Sequence, residues 1–232
     1  MLNIELKKRV RELVYGSQDG IISTLGLLAG VHAAFNDRTT TIITGIAAML
    51  TGGLSMATAS YLSSKSQDEI EEKELEDQRN LLKNDPLLLD EELSRSLLEM
   101  GLSKEVYNRI LLAFRKEEEH LLVAFHQKIL GLESAEPGKP VQAAIVMFLS
   151  FITGSFIPIL PYIFITRYYS FQWSVSLSVL ALFSIGLYKG HLAAKSKIVS
   201  GLEFILIAFS SAGAGWLVGK LFEHIYGIRS AF

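Results

Sequence analysis

One carboxylate stands inside the first long apolar stretch of this 232-residue chain: Asp19, within the run from Val14 to Phe35. At about 1.5 Å of rise per residue, that run is long enough to cross a hydrocarbon core of about 30 Å. A lone carboxylate in lipid costs at least ~2.5 kcal/mol, so it is expected to face a bundle interior or a polar cavity, with the remaining spans as its housing. Ser23 follows one turn on, and Met56 stands in the second apolar segment. A carboxylate with a thioether suits a borderline cation such as Fe²⁺, Mn²⁺ or Co²⁺ better than Mg²⁺ or Ca²⁺. A proton competes for the same oxygens, so cation movement at this pair can couple to proton movement. Taken alone, Met56 reads as packing.

Other acids extend the chemistry. Glu203 lies near the start of the last apolar segment and is a candidate for a proton path. Seven acids crowd into residues 68–77, where Glu69, Glu72 and Glu76 share one helical face, as do Glu71 and Glu74. Carboxylates so placed are candidate cytosolic metal-collecting groups. The ordinary reading of such a run is a solvated helix face, and Glu117-Glu118-Glu119-His120 carries the same two readings. His32 near a span end and His224 near the C-terminus read as interfacial side chains.

Composition narrows the classes. The chain has no Cys, which excludes disulfides and thiolate metal sites and leaves carboxylate, imidazole, thioether and backbone oxygen as ligands. Its net charge of −2 conceals a segregation: residues 66–136 hold 18 acids against 9 bases, while the rest holds 6 against 13. The first reads as an acidic soluble module and the second as a membrane body with basic edges. Without a basic stripe interleaved with aromatics, nucleic acid is not an expected partner. Neither a Ser-His-Asp order, a phosphate-cradling loop nor a dinucleotide fingerprint is present, so an enzyme is not expected.

The elements that must position these residues form an all-α chain, an integral membrane bundle of five transmembrane helices with a cytosolic three-helix insertion between spans two and three. An N-terminal amphipathic arm over 1–13, with Lys7, Lys8, Arg9 and Arg11, suggests a basic helix in the headgroup layer. Spans one and two fill 14–65, the acidic domain 66–139, and spans three to five 140–232. No Gly or Pro interrupts Tyr61 to Asp85, so span two is expected to run on into the insertion. Two further helices are expected there, from about Asp90 to Met100 and from Ser103 to Leu130. Gly26/Gly30, Gly186/Gly190 and Gly215/Gly219 each put two small residues on one helix face for close backbone approach, within the chain or between chains. Pro158 and Pro161 fall mid-span, where each removes a backbone donor. The excess of Lys and Arg on the arm and around Lys189, Lys195 and Lys197 places the N-terminus and the acidic domain in the cytosol of, by default, a prokaryotic plasma membrane.

Four stretches, in order along nearly the whole chain, resemble the vacuolar iron transporter family. They are Tyr15-Gly16-Ser17-Gln18-Asp19-Gly20, the Leu54-Ser55-Met56-Ala57 segment running to Ser66, Gly154-Ser155-Phe156-Ile157-Pro158-Ile159-Leu160-Pro161-Tyr162, and Tyr188-Lys189-Gly190-His191. The resemblance implies a five-span homodimer in the bilayer that exports cytosolic Fe²⁺ or Mn²⁺ in exchange for protons, with no permanently bound cofactor. It implies a translocation site at Asp19 and Met56, and a cytosolic three-helix domain that collects metal on Glu and Met. A gapless alignment puts the family's cytosolic glutamates on Gln78, Leu81, Leu89, Glu92 and Ile129 and its paired methionines on Phe125 and His126, so Glu92 alone keeps its ligand. The acidic run at Asp68–Asp77 is then the alternative collector. The other reading is a membrane-anchored interaction module with this fold and without transport.

Overall fold

The structure is a computed structural model that describes residues 4–84, 105, 106, 109, 140–165, 168–192 and 194–226. Five long helices carry the described chain: α1 (Ile4–Phe35), α2 (Arg38–Asn84), α3 (Pro140–Phe164), α4 (Ser170–Leu192) and α5 (Lys197–Tyr226). Four of them are long and apolar enough to cross a membrane, over Arg38–Glu74, Pro140–Phe164, Ser170–Leu192 and Lys197–Ile225. α1 is not among them, because Tyr15 to Gly20 and His32 dilute its apolar run. The basic residues expected on a separate arm over 1–13 belong to the same helix as the first apolar run, with no Gly or Pro between Ile4 and Val14 to break it. α2 likewise runs uninterrupted to Asn84.

The chain divides into two units, one of Met1–Tyr61 with Pro140–Phe232 and the other of Leu62–Lys139. In the first, α1 packs against α3, α4 and α5. Ile21, Leu25 and Ala29 of α1 share one core with Leu182 of α4 and Phe204, Ala208 and Ala212 of α5. Leu28 joins Met49 of α2 and Ile159 and Tyr162 of α3 in a second. Lipid is as apolar as Leu, so close van der Waals fit rather than water exclusion must hold such helices together. The glycines supply that fit. A Cβ on Gly215 would overlap the carbonyl of Gly26, and one on Gly219 the carbonyl of Gly30, so two of the three glycine pairs meet each other across α1 and α5. Gly186 and Gly190 of α4 face Lys197, Ser200 and Gly201 of α5. All three pairs therefore make contacts within the chain.

The turn between α1 and α2 is set by two residues. Asn36 takes a positive φ of 45°, which Asn tolerates, and donates its N–H to the His32 carbonyl at 2.9 Å, closing α1. The carboxylate of Asp37 then accepts from the Thr40 N–H at 2.7 Å, opening α2. Arg38 donates to the carbonyls of Tyr162 (2.6 Å) and Ile163 (2.5 Å), a cation on the negative end of the α3 dipole that ties this turn to α3.

Candidate functional site

Asp19 lies in the first half of α1. Its neighbours Gly16 and Gly20 face inward, meeting Met147 and Ser150, and Phe151 and Ser155, of α3. The 3.6-residue period then turns Asp19 the other way, onto an exposed stripe with Tyr15, Ser23 and Leu27. The Ser23 hydroxyl bonds back to the Asp19 carbonyl at 2.6 Å, and among the described residues the Asp19 carboxylate has no hydrogen-bond or ion-pair partner. The expected housing by the other spans is thus not met within one chain, because small residues at 16 and 20 draw that side of α1 against α3 and leave the carboxylate outside.

Met56 is half-buried on α2, one turn beyond Gly52 and Gly53. Gly52 meets Phe151, and Gly53 meets Phe148 and Ile152, so α2 and α1 share the same stretch of α3. Asp19 and Met56 therefore occupy neighbouring levels of the bundle, within about two helical turns along its axis. Glu203 is exposed on α5, off the face that Phe204, Ala208 and Ala212 press against α1. The Ser211–Ile22 hydrogen bond (2.8 Å) sets the register of these helices and puts Glu203 more than one turn from the level of Asp19. The structure does not bring the two acids together.

Glu69, Glu72 and Glu76 are exposed on the later turns of α2, where Lys65 lies 3.6 Å from Glu69. Among the described residues no three His, Asp or Glu side chains gather where they could hold one metal ion. Glu92 and the helices expected over 90–130 lie outside the described residues, as do Leu89, Phe125, His126 and Ile129.

Three features escape a sequence reading. His32, in the last turn of α1, stacks its ring on Phe171 at 4.9 Å and meets Tyr162 edge-on at 6.0 Å. Glu12, assigned to the basic arm, is buried, and its place one turn before Gly16 on the packed side of α1 is the signal that could have found it. Lys189, in the Tyr188–His191 motif, holds its ammonium 5.1 Å from the centre of the buried Phe204 ring, a cation over an aromatic face.

Known proteins share this arrangement of sequence. The profile of the VIT family matches residues 10–220. Vacuolar iron transporter 1 of Tulipa gesneriana is 27% identical over 217 residues, covering 93% of this chain and 88% of its own length. Vacuolar iron transporter 1 of Arabidopsis thaliana is 27% identical over 216 residues, with 93% and 86% covered. Protein CCC1 of Saccharomyces cerevisiae is 24% identical over 221 residues, 91% of this chain and 68% of the yeast protein. Together with four helices long and apolar enough to span, these matches make the chain a multi-pass membrane protein. With nearly the whole sequence inside the family profile and about a quarter of positions identical to these relatives, the chain is a divergent member of the VIT family.

Proposed function

We propose that this chain is a divalent-metal transporter that moves Fe²⁺ or Mn²⁺ out of the cytosol in exchange for protons, working as a homodimer of five-span protomers. The observation that carries the reading is the outward Asp19. Against lipid its charge would cost at least ~2.5 kcal/mol, and a second copy laid against the Tyr15–Asp19–Ser23 stripe removes that exposure. Two such carboxylates then face one another across the pair. A divalent cation between them balances both charges, and once it leaves, protons do the same, so metal and proton occupy the site in alternation. Met56, one level away, supplies a soft ligand that favours a borderline ion. α1 serves as the fifth span because its neighbours α3, α4 and α5 shield much of its polar surface from lipid. The acids of α2 gather metal before entry, on the side that the Lys and Arg excess assigns to the cytosol. The names of the plant relatives favour iron as the cargo.

Reconstitution in proteoliposomes tests this, with a metal-sensitive dye inside and a pH gradient imposed. The parent protein is expected to move Fe²⁺ and Mn²⁺ with a matching pH change, and Asp19→Asn to lose flux by about tenfold or more. Flux in Asp19→Asn equal to the parent would overturn the reading. No flux from either protein would leave the interaction module in its place.

A further inference from the structure

We infer that the interior of each protomer holds a chain of water along the seam between α1, α3 and α4, and that this seam, separate from the outward face where metal binds, carries protons between the His32 end of α1 and the level of Asp19. The proton part of this inference rests on the exchange reading above.

Serines and threonines in lipid-crossing helices ordinarily satisfy their hydroxyls on the carbonyl one turn back. Ser23, Thr51, Thr58, Ser150, Thr153, Ser184 and Ser210 all do so here, at 2.6–2.9 Å. Thr24 and Ser178 break the pattern. Their hydroxyl oxygens, and that of Tyr162, are buried and have no hydrogen-bond partner among the described residues. All three residues are at most 1% exposed. A buried hydroxyl without a partner is costly enough that ordered water is the usual explanation.

The three lie along one seam. Ser174 donates to the Pro158 carbonyl at 2.7 Å. Because α3 and α4 run antiparallel, Tyr162, one turn on along α3, and Ser178, one turn on along α4, lie on opposite sides of this bond, about two turns apart. His32 stacks on Phe171, and Ile21 shares a core with Leu182, so counting inward along antiparallel α1 and α4 brings Thr24 opposite Ser178. Ser155 donates to the Gly20 carbonyl at 3.2 Å, one turn before Thr24. Acceptors lie in the same turns of α3: Pro158 and Pro161 have no N–H to give the carbonyls of Gly154 and Ile157. Donors without acceptors and acceptors without donors along one seam are what a bridging water requires.

The seam runs from His32 to Gly20, twelve residues of α1 or about 18 Å, which is more than half of a hydrocarbon core of about 30 Å. A proton entering at one end passes one proton from each water to the next, and every hydroxyl both accepts and donates, so none is changed at the end. The seam stops at the residue after Asp19. Gly20 faces α3 while Asp19 faces outward. Protons therefore reach the Asp19 level on the packed side, and the last transfer to the carboxylate passes around α1 within one residue of the seam's end.

Hydroxyl-radical footprinting of the parent protein in nanodiscs tests the water directly. Tyr162 is expected to be oxidised at a rate within a few-fold of Tyr168, which is 84% exposed. An unmodified Tyr162 beside a fully modified Tyr168 would mean a dry seam and overturn the inference. The proton role is read in proteoliposomes of a Thr24→Val, Ser178→Ala, Tyr162→Phe triple variant, which keeps shape and removes the three hydroxyls. Metal-driven pH change is expected to fall about tenfold while exchange of Mn²⁺ for labelled Mn²⁺ stays within about twofold of the parent. An unaltered pH signal, or equal loss of both readouts, would overturn it. A parent that moves metal with no pH change would show instead that the exchange reading itself had failed.

Discussion

The two sides of α1 are built from opposite materials. Inward, Gly16, Gly20, Gly26 and Gly30 let the neighbouring helices touch its backbone, and Thr24 is sealed among them. Outward, Tyr15, Asp19, Ser23 and Leu27 are exposed, and the carboxylate has no partner among the described residues. The inward side is finished within one chain, whereas among the described residues nothing covers the outward side. One helix can therefore pack closely within the protomer and, in the function proposed above, also wall a site between protomers, because a helix presents unrelated residues to its two sides.

Breaking the inward side should have the largest effect. Gly215→Val pushes a branched side chain into the Gly26 carbonyl, with no flexible neighbour to give way, and should leave no folded peak by fluorescence-detected size exclusion. The chain's lack of cysteine sharpens the contrast with the outward side. Ser23→Cys, alone on the stripe, should give a disulfide-linked dimer under mild oxidation in membranes, and Ser174→Cys, buried in the seam, should give none. Equal cross-linking of the two would erase the distinction between the sides. The smallest effect belongs to Gly213→Ala, where a Cβ meets nothing within 4 Å: its melting temperature should match the parent, within ~0.5 kcal/mol of stability.

How much of this could be read from the sequence depends on what each feature needs. The continuous α2 needs only the absence of Gly and Pro from Tyr61 to Asp85, and that was visible. The glycine pairs announced close packing, but their partners depend on register between helices far apart in sequence, so contact within the chain became evident only when Gly215 met Gly26. The side on which Asp19 falls was hidden because α1 is apolar or small around much of its circumference, leaving no strong stripe to orient it. The buried hydroxyls were hidden for the same reason: Thr24, Ser178 and Tyr162 are unremarkable singly and acquire meaning through the alignment of α1, α3 and α4. The stacking of His32 on Phe171 was hidden because its position near the end of α1 says nothing of α4.

The central claim is that metal is held at the carboxylate on the outward side of α1, and Mn²⁺ titration followed by electron paramagnetic resonance on the purified full chain tests it most directly. Asp19→Asn should weaken the membrane site by about tenfold or more, while Glu69→Gln, Glu72→Gln and Glu76→Gln together should leave that site within about twofold of the parent. Unchanged Mn²⁺ binding in Asp19→Asn, with loss in the α2 triple variant, would contradict the account.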